Sequence, residues 1–562
     1  MKPYIPHMIV DSEGSADSQP PSYDVCIVGS GPAGGTLARE LARGDLRVCV
    51  LESGVRKPTA RGDRLRRVVS DGIRIKDYSR ERVLGGASTS WAGLSSPLDL
   101  ADLAPRTYLR QSGWPIPPEE LYEYYEEAAR EYRFPELELF GPSGFGALRS
   151  TGDAEPVWKA LDEKVFLAAD DPQNFGREWL ETYERDGVDL YLDATVARLE
   201  AGSDGRVEAV VTRNASGAER RFTARAYVLA TGGLENARLL LNSKRADGSA
   251  LGNEHDQVGR HLMNHPKNYH GIVRLRRPVQ DLPYYFGCLY EGYAGYAGMR
   301  LPEDEQRERE LMNAYVRMEP LFPWSDNRGI EALVLLAKSS RFLFSRWKSR
   351  QKGKIVALRD YAETGDDSDT KNERKGFWDW VGLVGLVIVN LPRVAQYAYY
   401  RLLSGKKPAI KRVRLRNFME MEPDPENRVL LSDELDELGQ PLPLVRHRPT
   451  ERDRKSLIAL HERLVEEFEQ AGFGRLETEL ASASPWPIDQ DASHHMGTTR
   501  MGTDPAHSVV DPTGRVHSVP NLYAAGASVF PTSGCANPTF TIVALSIRLA
   551  RTLRAELSGS SS

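Results

Sequence analysis

Cysteine is scarce in this chain, with four among 562 residues, at Cys26, Cys49, Cys288 and Cys535. Their spacing matches no metal-ligand pattern, so we predict that the protein has no zinc or other metal site. Cys26 and Cys49 each fall within an apolar run typical of a buried strand. A free, buried thiol is therefore expected at both positions rather than a disulfide.

The chain also lacks a strong excess of charge of either sign. Its formal net charge of −5 provides no basic surface for nucleic acid, which disfavours that class of partner. Residues 1–22 have neither the basic start nor the continuous apolar core of a secretory signal, so we expect the protein to be cytoplasmic. The length is sufficient for two or more domains.

Long hydrophobic runs are missing as well. The uninterrupted apolar run Trp380–Val389 is too short for a membrane-spanning helix, which needs roughly 20 residues. It belongs to an apolar and basic insertion at 340–403, in which arginines and a lysine surround Phe342–Trp347. A lid, a subunit interface, a membrane-surface anchor and a helix buried on its own domain are all open interpretations.

A glycine-rich turn is the strongest local signal. A buried strand is predicted at Val25–Val28 and a helix at Thr36–Ala42, and between them stands Gly29-Ser30-Gly31-Pro32-Ala33-Gly34. Gly29 permits a tight turn, Gly31 lets a pyrophosphate approach the backbone, and Gly34 lets the helix pack close to the strand. The phosphates would bind at the helix N-terminus, where free N–H groups favour negative charge.

An acidic residue completes this pattern. The second predicted strand, Val48–Leu51, ends on Glu52, whose carboxylate can accept hydrogen bonds from an adenosine ribose. A free acid at this place disfavours a 2′-phosphate. Strand, glycines, helix, strand and acid in this order predict that the chain binds a dinucleotide.

Other patterns predict single elements. Helices are expected at Pro118–Tyr132 and Glu451–Gln470, and a strand at Leu190–Leu199. The second helix carries apolar residues at helical spacing, which we interpret as core positions: Leu457, Leu460, Leu464 and Phe468.

The C-terminal part contains two adjacent histidines, His494 and His495, in a stretch rich in glycine and threonine. Short strands are predicted at Val509–Asp511 and Asn521–Ser528, followed by a helix at Thr539–Leu557. Asn537 suits the N-cap of that helix and Pro538 its first position. The helix N-terminus would also favour an adjacent anion.

These motifs together resemble the glucose–methanol–choline (GMC) family of FAD-dependent oxidoreductases. The resemblance spans nearly the whole chain, through the glycine fingerprint, the loop 85–89, Val258-Gly259-Arg260 and the C-terminal block. Within the family, the chain looks most similar to pyranose oxidases and bacterial sugar or glycoside oxidoreductases. Those proteins share a His-x-x-Gly-Thr-x-Arg-Met-Gly pattern, matched at 494–502, and Ala-Asn-Pro-Thr, matched at 536–539.

The resemblance implies an α/β fold, α+β overall, in which a Rossmann-like FAD-binding domain receives an inserted substrate domain built on an antiparallel sheet. The expected boundaries are a flexible leader at 1–22, FAD-binding parts at 23–264 and 486–557 with lid elements around 85–185, a substrate-binding domain at 265–485, and a tail at 558–562.

The resemblance also implies the catalytic pair, which maps onto His494 and Asn537. His494 would take the hydroxyl proton while hydride passes to flavin N5, because a histidine accepts a proton near neutral pH. The amide of Asn537 cannot act as a base, but it can fix the alcohol oxygen by a hydrogen bond. His495 is expected to point into the fold.

FAD attachment is expected to be non-covalent. Fungal pyranose oxidases carry a flavin-linking histidine after the Ser-Thr of the glycine loop, whereas this chain has Ser90 there. The residues predicted to bind FAD are Gly29, Gly31, Pro32, Ala33, Gly34, Glu52, Ser53, Gly85, Gly86, Ser88, Thr89, Ser90, Trp91, Ala92, Val196, Thr231, Gly232, Gly526, Ala527, Asn537, Pro538 and Thr539.

The leading functional hypothesis is FAD-dependent oxidation of a secondary alcohol of a sugar or glycoside to a ketone, with electrons passed to oxygen or another acceptor. An alternative is oxidation of a non-sugar alcohol, lipid-like or a secondary metabolite, reached through the 340–403 segment. That segment could also contact a membrane surface or a second copy. A binding module without turnover is a third hypothesis, which the intact His494/Asn537 pair disfavours.

Overall fold

A computed structural model describes most of the chain. The described residues are 9–10, 20–76, 79–110, 112–141, 144–150, 153, 155–169, 171–178, 180, 187–339, 377–404, 408–488, 491 and 493–559.

The strands are numbered in chain order, as β1 Ile9–Val10, β2 Tyr23–Val28, β3 Val48–Leu51, β4 Val69–Gly72, β5 Asp162–Ala169, β6 Val188–Tyr191, β7 Thr195–Ala201, β8 Val207–Arg213, β9 Glu219–Phe222, β10 Ala224–Leu229, β11 Lys267–Asn268, β12 Ile272–Val279, β13 Cys288–Tyr290, β14 Tyr293–Arg300, β15 Tyr315–Leu321, β16 Ile410–Phe418, β17 Arg428–Leu435, β18 Pro441–His447, β19 Gly474–Glu477 and β20 Leu522–Ala524. The α-helices are α1 Pro32–Ala42, α2 Ala60–Leu65, α3 Leu100–Leu103, α4 Pro118–Tyr132, α5 Phe175–Glu178, α6 Gly233–Asn242, α7 Pro283–Phe286, α8 Glu303–Glu308, α9 Arg328–Ser339, α10 Phe377–Val389, α11 Leu391–Ala398, α12 Glu451–Gln470 and α13 Thr539–Gly559.

A parallel sheet forms the first layer, with strand order β1-β6-β3-β2-β10-β20. β3 is buried along its whole length, as is typical of parallel strands that have cover on both faces. Cys26 lies opposite Cys49 in the register of β2 and β3, and both thiols are buried and free, as predicted. β2, α1 and β3 coincide closely with the predicted elements, so the Rossmann-like core is confirmed.

The carboxyl ends of these parallel strands meet at one edge of the sheet. β2 ends before Gly29, β3 before Glu52, β10 before Ala230 and β20 before Ala525. Ligands of open α/β sheets bind at this edge. The fold therefore collects turns that are far apart in sequence around one site.

An antiparallel sheet forms the second layer, with order β13-β14-β15-β16-β12-β19, β11 beside β16 and β5 beside β14. This confirms the predicted antiparallel sheet. The predicted core positions of α12 lie in the cluster behind it and are fully buried: Leu457, Leu460, Leu464 and Phe468. Two smaller sheets complete the fold, β17-β18-β4 and β7-β8-β9.

Two local strand predictions are wrong. The strand expected at Leu190–Leu199 is two strands, because the chain leaves the parallel sheet after β6 and enters another sheet at β7, with Asp193 in the left-handed conformation between them. The stretch Val509–Asp511 is not a strand, since only isolated bridges form at Val510.

The chain ends also differ from expectation. Inside the leader predicted to be flexible at 1–22, β1 pairs with β6 through Ile9 and Leu190. The two-residue strand Ile9–Val10 thus extends the parallel sheet at its edge. The last helix, predicted to end at Leu557, continues to Gly559 and so enters the predicted tail.

The 340–403 segment is only partly described, and Phe342–Trp347 lie outside the described residues. α10 and α11 meet at a bend of 80°. α11 buries Val394 and Tyr397, whereas α10 exposes 64% of Ile388 and 80% of Val389. A helix buried on its own domain is therefore the wrong interpretation for α10.

Among the described residues, no single helix is long and apolar enough to cross a membrane. Only α10 and α11 taken together reach that length and hydropathy, and they do so as a bent pair.

Candidate active site

A cavity of about 1370 Å³ lies at the carboxyl edge of the parallel sheet and extends to side chains of the antiparallel sheet. Both predicted catalytic residues, His494 and Asn537, line it. So do most of the predicted FAD-binding residues, namely Gly29, Gly31, Pro32, Ala33, Glu52, Ser53, Gly86, Ser88, Thr89, Ser90, Trp91, Ala92, Val196, Thr231, Gly232, Gly526, Ala527, Pro538 and Thr539.

Gly34 and Gly85 do not line the cavity, so we do not assign them direct contact with a cofactor. A Cβ added to Gly34 would lie 1.9 Å from the carbonyl oxygen of Gly29, so Gly34 serves the close packing of α1 against the turn. Gly85 adopts a left-handed φ and donates its N–H to Ser30 Oγ at 3.0 Å. Both glycines support the cavity wall from behind.

Three of the glycines that line the cavity leave space inside it. A Cβ added to Gly31 or Gly232 would meet no atom within 4 Å, and one added to Gly526 would meet only Ala33 at 3.8 Å. The pyrophosphate of a dinucleotide needs a cavity wall without side chains beside a helix N-terminus. The residues present therefore fit FAD.

Glu52 is 5% exposed, and its carboxylate is held in place by three bonds. Oε2 accepts from the backbone N–H of Ser30 at 3.1 Å and from Ser30 Oγ at 2.5 Å, while Oε1 accepts from the N–H of Gly54 at 2.7 Å. Burial raises the pKa of Glu52, and these hydrogen bonds oppose the shift. The carboxylate is thus preorganised at the place predicted for the ribose.

The predicted catalytic pair meets in the cavity, where Asn537 Nδ2 lies 3.5 Å from His494 Nε2. The helix cap differs from the prediction by one residue. α13 begins at Thr539, and the carbonyl of Pro538 accepts the bond from the N–H of Ile542. Pro538 therefore occupies the cap position, which leaves the Asn537 amide directed at His494.

A residue that the sequence did not single out, His265, lies behind His494. It is 2% exposed. Its Nε2 lies 2.8 Å from the carbonyl oxygen of Gly534, and its Nδ1 lies 2.9 Å from His494 Nδ1.

These contacts fix where the protons are. A carbonyl oxygen only accepts, so His265 carries its proton on Nε2 and, as a neutral ring, has a lone pair on Nδ1. That lone pair accepts from His494 Nδ1–H. His494 Nε2 is consequently unprotonated, in agreement with the Asn537 amide beside it, and it faces the cavity as a base.

The charge state of the pair follows from burial. Burial lowers the pKa of His265 to about 4. Burial and the neighbouring His265 hold the pKa of His494 well below its ordinary value. Both rings are therefore neutral at physiological pH, which the arrangement of protons requires.

His495 has different partners. Its ring is 9% exposed and its Nε2 lies 3.3 Å from Asp491 Oδ2, although it also borders the cavity. Burial alone would raise the pKa of Asp491, but His495 and hydrogen bonds lower it. Asn264 links the two histidines, since it donates to Asp491 and accepts from the N–H of His494 at 3.0 Å.

Within the described part of the chain, no group of three or more His, Cys, Asp or Glu side chains could hold a metal ion.

Comparison with known proteins agrees with this geometry. Residues 423–546 match the family model described as GMC oxidoreductase, and residues 24–279 match that described as FAD dependent oxidoreductase. The chain thus carries an FAD dependent oxidoreductase domain followed by a GMC oxidoreductase domain, which agrees with the resemblance of its motifs to the GMC family.

Several curated proteins are similar over part of the chain. Paromamine 6'-oxidase of Streptomyces fradiae is 36% identical over 26% of this chain and 26% of its own length. C-glycoside 3-oxidase of Arthrobacter globiformis is 37% identical over 24% and 25%. The fructose dehydrogenase large subunit of Gluconobacter japonicus is 27% identical over 65% and 54%. Each alignment covers less than two thirds of the relative's own length.

The fold is shared with a solved structure, a variant of the Aspergillus oryzae RIB40 formate oxidase. It aligns over 96% of this chain and 99% of its own, with a TM-score of 0.53 and 16% sequence identity. At that identity the likeness concerns the fold alone.

Glu52→Ala tests the ribose assignment. It should weaken FAD binding by about 1.5–3 kcal/mol, since two ribose hydroxyls would lose their charged acceptor. The measurement is the FAD dissociation constant of the deflavinated protein by fluorescence titration, with exposed Glu119→Ala as control. An unchanged constant in Glu52→Ala would refute the assignment.

Proposed function

We propose that the protein oxidises a secondary alcohol of a sugar or glycoside to a ketone and passes the electrons from FAD to oxygen or another acceptor. The observation that carries this proposal is the unprotonated Nε2 of His494, which faces the cavity 3.5 Å from the Asn537 amide. A base and a hydrogen-bond donor side by side are what the deprotonation of an alcohol requires.

Each side chain has a distinct task in this reaction. His494 Nε2 accepts the hydroxyl proton, and the Asn537 amide donates to the alcohol oxygen and fixes its position. His265 holds the tautomer of His494 and can share the positive charge that His494 acquires. FAD, when bound, supplies the acceptor for the hydride that leaves the carbinol carbon.

The names of the relatives support the substrate class, since they include a C-glycoside 3-oxidase and a fructose dehydrogenase large subunit. Ser90 lines the cavity where fungal pyranose oxidases carry their linking histidine. Non-covalent FAD and cytoplasmic residence stay predictions.

His494→Ala should slow flavin reduction by the alcohol on the order of 10²–10⁴-fold, because the base is lost. FAD should stay bound, since its predicted phosphate and ribose contacts come from other residues. Asn537→Ala should also slow the reaction. The measurement is anaerobic rapid-mixing reduction, after a screen of free sugars, glycosides and apolar alcohols.

His495→Ala is the matched control, because this neighbour is bonded to Asp491. It should affect stability or the flavin spectrum more than the reduction rate. Loss of reduction in His495→Ala together with normal reduction in His494→Ala would exchange the two roles. Reduction by apolar alcohols but by no sugar would favour the alternative substrate class.

We further propose that α10 contacts an anionic membrane surface or a second copy of the chain. Contiguous apolar side chains on this helix are exposed: Trp380, Val381, Val384, Leu386, Ile388 and Val389. Exposed apolar area of this kind is typical of interaction surfaces.

Ile388→Asp should reduce co-sedimentation with anionic phosphatidylserine vesicles, or dissociate a dimer, because a charge would be placed on the proposed contact. The measurements are vesicle sedimentation and light scattering, with Leu289→Asp as control at another exposed apolar site. A wild-type monomer that ignores vesicles would contradict the proposal.

A further inference from the structure

Two arginines lie directly opposite each other on the sheet that borders the cavity. Arg317 of β15 and Arg416 of β16 are paired in the antiparallel register. Both line the cavity, yet they are only 3% and 7% exposed. Like charges at directly opposite positions destabilise a sheet, so this arrangement needs compensating negative charge.

The two guanidinium groups differ in their partners. Arg416 lies 3.4 Å from Glu319, which it shares with Arg414, also at 3.4 Å. Among the described residues, Arg317 has no ion pair within 4.0 Å and no side-chain hydrogen bond, and its Nε is buried without a partner, although its charge helps to lower the pKa of Glu319. Its guanidinium lies over the ring of Tyr296, 4.4 Å from Cζ to the ring centroid.

A buried cation without a directly bonded anion carries a desolvation cost. Arginine presents a planar fork that matches the oxygen pair of a carboxylate or phosphate. The stacking on Tyr296 holds this fork at the cavity wall. A ligand anion would therefore supply Arg317 with a directly bonded partner.

The position of the arginines relates them to the catalytic pair. Tyr315 and Phe418 are two residues along the same strands, stack with ring centroids 4.6 Å apart, and also line the cavity. Lys267 pairs with Phe418 across β11 and β16 and lies near enough to His494 to contribute to its lowered pKa. Two strand residues span about 7 Å, so the arginines lie roughly one sugar unit beyond this region.

We propose that the cavity selects an anionic substrate: the alcohol that His494 deprotonates belongs to a sugar derivative whose carboxylate or phosphate is bound by Arg317 and Arg416. This inference rests on the proposed function and specifies its substrate class. The rest of the sugar lies over the Tyr315–Phe418 pair.

The test compares matched substrates by anaerobic flavin reduction. The carboxylate arm is methyl β-D-glucuronide against methyl β-D-glucoside, and the phosphate arm is glucose 6-phosphate against glucose. The anionic member of at least one pair should have a kcat/KM at least about tenfold higher. Whichever arm shows the advantage identifies the anion.

Arg317→Gln should bring the ratio of kcat/KM for the anionic substrate to kcat/KM for its neutral partner to within about twofold of unity. Arg317→Lys should retain part of the preference for the anionic substrate. Arg277→Gln, an exposed arginine on β12 of the same sheet, should leave the ratio unchanged. In the wild type, inorganic phosphate should inhibit competitively, which tests the site even if the variants fail to fold.

Equal kcat/KM for both members of both pairs, or an advantage that survives Arg317→Gln, would overturn the inference while the proposed function stands. Absence of phosphate inhibition would also count against it. If no sugar of either kind reduces the flavin, the proposed function itself fails.

Discussion

The hydrogen bond from His265 to the carbonyl oxygen of Gly534 determines the chemistry of the whole site. Because that oxygen can only accept, the proton of His265 is fixed on Nε2. His265 Nδ1 then accepts from His494 Nδ1–H, which leaves His494 Nε2 unprotonated toward the cavity. The backbone carbonyl of Gly534 thereby assigns, through His265, the tautomer of His494. Burial keeps both rings neutral, so no counter-ion is needed.

This arrangement depends on the meeting of the two sheets. The parallel sheet brings Glu52, Gly31 and the start of α13 to one edge, and the antiparallel sheet places a different set of side chains on the opposite wall. The first wall contains several glycines beside a helix N-terminus, which suits a dinucleotide. The second wall is aromatic and cationic, which suits a hydroxylated ring with a negative group. The cofactor side and the substrate side thus differ in chemistry because they come from different sheets.

Short sequence patterns predict part of this arrangement. The glycine turn, Glu52 and the helix start after Asn537 are short patterns whose residues act near one another, so the parallel core and the candidate pair could be recognised from the sequence. His265 could not, because it is a lone histidine 229 residues away from His494. The preceding Val258-Gly259-Arg260 motif was the only signal used in that region.

Register and sheet membership are also invisible to pattern reading. The opposition of Arg317 and Arg416 depends on how β15 pairs with β16. The stretch 190–199 alternates as one strand would, although the chain changes sheets within it. The exposure of α10 follows from tertiary packing, since its composition alone fits a buried helix equally well.

The pH dependence of the limiting rate constant for anaerobic flavin reduction tests the central claim most directly. If His494 is a neutral base with a pKa well below its ordinary value, the rate constant should stay flat as the pH falls from about 8 through about 6.5 and should fall only at lower pH, where the base becomes protonated. A rate constant that already falls by half near about pH 6.5, the ordinary pKa of a histidine, would contradict the arrangement in which His265 and burial hold His494 unprotonated.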